Sequence, residues 1–234
     1  MTVGADLLVA GSAAYESARR SQIARFDGVR PRAVVRCRVP EDIAWALAFA
    51  RQEGVHVALR SGGHCFAGRS STTGIVIDVS GIDEVSVSDG TVAIGAGARL
   101  GDVYDALATH DLTVAAGCGP TVGIAGLTLG GGLGILGRSH GLTADQLVGA
   151  RAVLADGRVV ECDEHRHEDL FSALRGAGAA ASSRPSRSWC SGRFRPWTPR
   201  ASTCCGRGLR PPQSSAPGRR GRTRCLTRSR QACW

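Results

Sequence analysis

A glycine-rich stretch at residues 117–141 is the feature of this sequence that most restricts its fold. The stretch reads GCGPTVGIAGLTLGGGLGILGRSHG, contains ten glycines in 25 residues, and has Arg138 as its only charged residue. Glycine at this density lets the backbone adopt positive φ and approach other groups closely. Successive exposed N–H groups in such turns form concave sites that bind anions.

A second glycine-rich loop lies upstream, at residues 60–64. It reads RSGGH, follows a short apolar run, and ends on His64. The chain has no Lys, and neither loop is rich in cations. Two backbone-lined loops, one of which carries a histidine, therefore predict a phosphate-containing cofactor held mostly by main-chain amides.

The pattern of apolar residues predicts alternating strands and helices, with two hairpins that turn at Asp89-Gly90 and Asp156-Gly157. Strands are predicted at 32–38, 55–59, 74–79, 85–88, 91–94, 146–155 and 158–161, and helices from Pro40, at 99–109 and at 167–174. This order of βαβ units and hairpins predicts the α+β class with mixed sheets. The elements fall into two groups, at about 30–100 and 101–178, and a ligand that contacts both loops would lie between them.

Six motifs in series resemble a known family. They are PRAVVRCRVPEDIAWAL, RSGGHCFAG, GIVIDVSGIDEV, GAGARLGDVYDAL, PTVGIAGLTLGGGLGILGRSHGLTADQLVGARAVLADGRVV and DLFSALRGAG. From about residue 30 to residue 178 the chain resembles the flavin-binding domain of the vanillyl-alcohol-oxidase type, and within it the berberine-bridge-enzyme-like FAD-linked oxidases. The resemblance implies a two-subdomain PCMH-type FAD-binding fold with FAD between the subdomains.

The resemblance also implies roles for individual residues. His64 matches the histidine that bonds covalently to the flavin 8α-methyl group in many members. Some members add a second link through a Cys directly before the Pro of the second loop; here Gly119 holds that position and Cys118 precedes it, so one link is expected. The implied cofactor-binding residues are Arg60, Ser61, Gly62, Gly63, His64 and Gly68 in the first region, and Pro120, Thr121, Val122, Gly123, Gly126, Leu127, Gly130, Gly131, Gly132, Gly134, Leu142 and Val153 in the second.

The implied reaction is removal of hydride from an alcohol, sugar or amine carbon by flavin N5, followed by reoxidation by O2. A histidyl link would raise the flavin reduction potential and fix the flavin in place. The partners implied are a small-molecule substrate and O2. No catalytic residue is assigned, because the second half of full-length relatives usually supplies the base.

Residues 132–137 also read GxGxxG, which leaves a Rossmann NAD(P)-dependent enzyme as an alternative. That fingerprint requires a strand before the first glycine and an acid about 20 residues later. No strand is predicted before Gly132, and the acid Asp156 falls in a predicted hairpin turn. The resemblance is therefore preferred.

The sequence changes character at residue 179. Residues 1–178 contain 16 Arg and 20 acids, for a net charge of −4, whereas residues 179–234 contain 13 Arg and no acid. One explanation is a basic nucleic-acid-binding tail on a non-enzymatic module. The other is a frameshifted stretch of a GC-rich gene. The frameshift is preferred, because five Cys and no Lys are unusual for an RNA-binding tail. A tail without packed structure is expected in both cases, and little or no turnover if the substrate half is missing.

The remaining expectations come from composition. Nine Cys, an odd number without CxxC spacing, indicate no disulfide framework and no zinc site. A cytoplasmic location follows as the default. No apolar run reaches the roughly 18 residues of a membrane span. Residues 1–29 are interpreted as a loosely ordered leader.

Overall fold

The computed structural model describes residues 4–176 and 187–196. Within these ranges the chain forms nine strands and six α-helices, arranged around two sheets. Two 3-10 turns, Ala24–Phe26 and Thr143–Gln146, join neighbouring elements. None of the described helices has the length and apolar content needed to cross a membrane.

The first sheet has the strand order β1-β2-β4-β3 and is complete by residue 78. Strands β2, β3 and β4 are parallel, and β1 pairs antiparallel with β2. The central strand β4 is buried along its whole length, as expected for a strand covered on both faces. The elements are β1 Asp6–Val9, α1 Ala13–Ala18, β2 Ala33–Arg36, α2 Pro40–Gln52, β3 Val57–Arg60 and β4 Ile75–Asp78.

The second sheet has the order β5-β6-β9-β7-β8 and is antiparallel throughout. Asp89 and Gly90 both have positive φ, of 48° and 70°, as a two-residue hairpin turn requires. The elements are β5 Val85–Ser88, β6 Thr91–Gly95, α3 Leu100–Ala108, α4 Ile124–Leu129, α5 Gly137–His140, β7 Leu147–Leu154, β8 Val159–Cys162, α6 Glu168–Leu174 and β9 Arg187–Phe194.

One main hydrophobic core joins the two sheets. It includes Val35 and Ile77 of the first sheet, Ile94 and Val153 of the second, and Ile43 of α2, all buried. A smaller cluster lies apart from it, where Tyr15 and Ala18 of α1 pack with Val34, Ala58 and Val76. The predicted strands and helices between residues 32 and 174 are confirmed, and so is the α+β class.

The expectation of a loosely ordered leader is wrong for the described residues 4–29. Strand β1 adds to the first sheet, and α1 buries Tyr15, whose hydroxyl donates to Pro31 O at 2.5 Å. The two elements have four and six residues, too few for a periodic pattern to stand out, and they depend on contacts with β2.

The expectation of a tail without packed structure is wrong for Arg187–Phe194. This segment is β9, which lies between β6 and β7 in the second sheet, and Phe194 is fully buried. Its sequence, RSWCSGRF, has no regular alternation, so the pairing depends on the backbone groups of β6 and β7. Residues 177–186 and 197–234 lie outside the described part of the chain.

Candidate cofactor-binding site

The two glycine-rich loops meet at Gly62 and Gly123. A Cβ added to Gly62 would overlap the Gly123 nitrogen and lie 2.8 Å from Thr121 O, and one added to Gly123 would overlap the Ser61 hydroxyl. Both positions therefore require glycine, because the backbones themselves are in contact. The first loop follows β3, and the part of the second loop that meets it, around Gly123, lies just before α4. The sheet topology therefore brings together the two regions that the sequence predicts to share one ligand.

His64 bridges the two loops. Its Nε2 lies 2.9 Å from Thr121 Oγ1, within hydrogen-bonding distance, and its side chain is only partly buried. Because Thr121 engages Nε2, the other ring nitrogen, Nδ1, is the one not bonded to the second loop. A hydroxyl can either donate to or accept from an imidazole nitrogen, so Thr121 is compatible with either tautomer of His64.

The first loop carries four successive amide N–H groups, at residues 61–64. Within the part of the chain that the structure describes, none of the four donates to a backbone or side-chain acceptor, although Gly62 and Gly63 are buried. Buried amides without a partner are rare in proteins, since each one carries a desolvation penalty. Four successive free amides therefore indicate a place for an anionic ligand.

The second loop contains a similar run at residues 132–136. Among the described residues, their amides likewise have no protein acceptor. Gly132 has a φ of 80°, and a Cβ there would lie 2.4 to 2.6 Å from Thr143 side-chain atoms, while one on Gly134 would overlap the Ala116 carbonyl. Glycine is thus required by the close approach of this loop to its support.

A buried polar network holds the second loop from behind. Gln146 accepts from Ala115 N and donates to Ala115 O, both at 2.7 Å, and Thr143 Oγ1 donates to the same carbonyl at 3.0 Å. Tyr104 donates its hydroxyl to Gly117 O at 2.6 Å. Burial, with a smaller contribution from nearby Cys118, raises the pKa of Tyr104 to about 12.

The side chains of Ser61 and Arg60 bond to other parts of the protein. Ser61 Oγ donates to Ala96 O at 2.7 Å, which ties the loop to the end of β6. Arg60 is buried, and its guanidinium donates to carbonyls at the end of α1. Burial lowers the pKa of Arg60, an effect that the nearby Asp78 partly offsets. Arg60 therefore supports the loop from the protein interior.

The contacts place several of the predicted site residues. Those at or beside the meeting point of the two loops are Ser61, Gly62, Gly63, His64, Thr121 and Gly123. Leu142 lies close to Gly131, since a Cβ on Gly131 would be 3.5 Å from its Cδ1. Gly68 packs against the Phe26 ring, and Val153 is buried within β7, paired with Val159 of β8.

Large apolar side chains stand exposed on the second loop, at Leu133 and Ile135, and just after the first loop, at Phe66. Phe66 is 78% exposed, Leu133 79% and Ile135 74%. The sequence pattern did not predict a role for these residues, nor for the supporting residues Thr143 and Gln146. The sequence does contain a signal for this support: Thr143 and Gln146 are polar residues directly before the apolar strand β7.

The Rossmann alternative does not fit the structure. Residues 132–137 follow α4 instead of a strand, and the helix that begins at Gly137 has only four residues. A second glycine pair, Gly95 and Gly97, lies at the junction of β6 and α3. Strand β6, however, pairs antiparallel with both of its neighbours. A dinucleotide fingerprint requires a strand, a glycine-rich turn and a helix in a parallel βαβ unit.

Comparisons with known proteins identify the family of this chain. A family profile described as "FAD binding domain" matches residues 31–163. An FAD-linked oxidoreductase of Aspergillus niger is 40% identical over 167 residues, which cover 70% of this chain and 31% of that protein. The chain belongs to the FAD-binding domain family. Within this family its relatives include FAD-linked oxidoreductases and berberine-bridge-enzyme-like proteins.

Solved structures place the fold in the PCMH-type group. A berberine-bridge-enzyme-like protein of Physcomitrella patens matches with a TM-score of 0.78 and 34% identity, over 84% of this chain and 43% of that one. The glucooligosaccharide oxidase of Acremonium strictum, whose structure is titled for its 6-S-cysteinyl, 8α-N1-histidyl FAD, matches with a TM-score of 0.75 and 29% identity, over 83% and 41%. The prediction of an α+β, PCMH-type fold is thereby confirmed. The chain spans less than half the length of these relatives.

Proposed function

We propose that this chain binds FAD between its two glycine-rich loops, as the cofactor-binding part of an FAD-linked oxidase. The observation that carries the proposal is the run of four free amides at residues 61–64, which touches the second loop through Gly62 and Gly123. Amide dipoles neutralise a diphosphate without side-chain cations. The exposed Phe66, Leu133 and Ile135 offer apolar surface suited to a flat aromatic ring system.

Each element of the site has a proposed task. The amides of residues 61–64 and 132–136 would hold the diphosphate, and the supports behind them would keep these amides in place. FAD bound there would supply the hydride acceptor for a small-molecule substrate, and O2 is the proposed final acceptor. Because the matches cover less than half of the relatives, we assign flavin binding to this chain.

We propose further that His64 carries a covalent link to the flavin methyl group. The histidine is accessible, lies at the end of the free-amide run, and is held by Thr121 through Nε2. The histidyl FAD named for the Acremonium strictum neighbour supports this assignment. A covalent link would fix the ring and raise its reduction potential.

Two measurements test these proposals. FAD should raise the melting temperature of the purified His64→Ala protein, in which no covalent flavin fills the site, and NAD or NADP should not, since a ligand stabilises only the folded state that binds it. Acid precipitation should give a yellow pellet for the wild type and a colourless one for His64→Ala. Stabilisation by NAD(P) in preference to FAD would refute the first proposal, whereas a yellow supernatant above a colourless wild-type pellet would refute only the covalent link.

A further inference from the structure

Arg60 is one of the few charged residues that the structure buries, with 5% of its surface exposed. Its Nη1 donates to three successive carbonyls, those of Ala18 at 2.7 Å, Arg19 at 3.1 Å and Arg20 at 3.2 Å. These carbonyls lie at the C-terminal end of α1, where helix carbonyls lack partners and favour a positive charge.

The remaining guanidinium donors of Arg60 reach the other side of the loop. Nε donates to Ser70 O at 3.0 Å, and Nη2 lies 3.4 Å from Ser71 Oγ. One side chain therefore joins the end of α1 to the segment that follows the first loop. The planar fork of arginine suits such a contact, because its donors point in fixed and different directions.

The same N-terminal segment also contacts the loop directly. Gln22 N donates to Gly63 O at 3.3 Å, and a Cβ on Gly63 would lie 3.6 Å from Ser21 Cα. Gly63 has a φ of 74°, a left-handed conformation that glycine adopts at little steric cost. The residues that follow α1 thus lie against the loop whose amides are free.

We infer that Arg60 is a positioning residue for the cofactor loop, which it joins to the main-chain carbonyls at the end of α1. Its guanidinium acts through the backbone: it fixes the end of β3 against these carbonyls, and this holds the amides of residues 61–64 in place. The inference rests on the proposed function, because it gives those amides their ligand.

A matched control is available in the same segment. Arg19 is also buried, with 6% of its surface exposed, and its side chain bonds to Glu16 Oε2 at 2.7 Å and Asp27 O at 2.6 Å. Arg19→Met and Arg60→Met both remove a buried guanidinium that holds α1. Only the Arg60 side chain also reaches Ser70 and Ser71, which follow the first loop.

The experiment measures two quantities on the full chain in a His64→Ala background, where no covalent link can hold the flavin. The first is the FAD dissociation constant by flavin fluorescence, and the second is hydrogen exchange at the amides of residues 61–64 without ligand. Arg60→Met should raise the dissociation constant by about tenfold or more, since small misplacements of binding groups have large effects. It should also accelerate exchange at these amides, whereas Arg19→Met should leave both nearly unchanged despite a lower melting temperature.

Arg60→Lys provides the second variant. A lysine ammonium can reach the three carbonyls at the end of α1 but cannot also reach Ser70 O, so both quantities should take intermediate values. If Arg60→Met does not fold, Arg60→Lys is compared with Arg19→Lys in the same way. Equal effects of the Arg60 and Arg19 changes, or unchanged exchange at residues 61–64, would overturn the inference. Failure of the parent protein to bind FAD would instead refute the proposed function, and the exchange data would still decide the role of Arg60.

Discussion

The two loops of the site reach the same result by different means. The first loop is supported by the charged Arg60, which ties it to α1. The second is supported by neutral groups, namely Gln146 and Thr143 around Ala115, with Tyr104 holding Gly117. In both cases polar side chains bond behind the loop, and among the described residues the amides of 61–64 and 132–136 have no protein acceptor. The difference predicts that the first loop depends on a buried charge, to which Ser61 and Gln22 add further bonds, whereas the second depends on neutral groups.

The largest effect is expected where the loops touch. Gly62→Ala would place a methyl group against the Gly123 nitrogen and Thr121 O, both backbone atoms that cannot rotate away. Overpacking of this kind costs about 1–3 kcal/mol or more, and FAD binding should be lost with it. The measurements are the melting temperature and an FAD titration.

Gly126→Ala is the control for that substitution. Gly126 lies within α4, and nothing lies within 4 Å of a Cβ added there. Alanine should leave stability unchanged or raise it by about 0.5–1 kcal/mol, since glycine weakens a helix interior. A Gly62→Ala protein as stable as the wild type would show that the two loops do not touch.

A smaller effect is expected behind the second loop. Gln146→Leu removes two 2.7 Å hydrogen bonds to Ala115 and leaves the buried Ala115 N–H without its acceptor. The free energy of unfolding should fall by about 1–3 kcal/mol, as measured by urea denaturation. Gln52→Leu, an exposed change at the end of α2, should stay within about 0.5 kcal/mol of the wild type. Equal values for the two variants would contradict the proposed support.

Tyr104→Phe should have a pH-dependent effect of about 1 kcal/mol, the contribution of one hydrogen bond. An unfolded tyrosine ionises near pH 10, whereas burial raises the pKa of Tyr104 to about 12 in the folded protein. The stabilisation by its neutral hydroxyl is therefore complete below pH 10 and is lost as the pH rises from 10 to 12. Urea denaturation at pH 8 and pH 11 should show the gap between wild type and variant shrinking at the higher pH; a constant gap would refute this account.

The smallest effect on stability is expected at the bridge between the loops. Thr121→Val removes the partner of His64 Nε2, and Thr121→Ser keeps it. Because Thr121 is exposed, both variants should unfold within about 0.5 kcal/mol of the wild type. The valine variant alone should change the ring-nitrogen signals of His64 in the NMR spectrum and lower the fraction of covalently bound flavin. Identical spectra for the two variants would show that the hydroxyl does not orient the histidine.

Many of the strands and helices could be predicted from the sequence, because their local residue patterns favour the same structure that the tertiary contacts stabilise. The alternation around Asp89-Gly90 and the helix that begins at Pro40 are each specified by neighbouring residues. The glycines of the loops predicted close backbone contact, and Gly62 makes it. The side-chain direction of Arg60 could not be predicted, since a residue at the end of a strand can face either the ligand or the interior. Strand β9 was missed because its partners, and not its own pattern, determine its pairing.

The position of β9 has a consequence for the order in which the protein can be made. The first sheet has all its strands once the ribosome has passed residue 78, so it can assemble early in synthesis. The second sheet cannot join β6 to β7 until residues 187–194 emerge, because β9 lies between these two strands. Those residues come about 90 residues after β6, so the sheet is completed by closing a long loop. During that interval β6 and β7 each present an unpaired edge. A nascent chain halted before residue 187 should therefore be a stronger target for chaperones than one halted after residue 196.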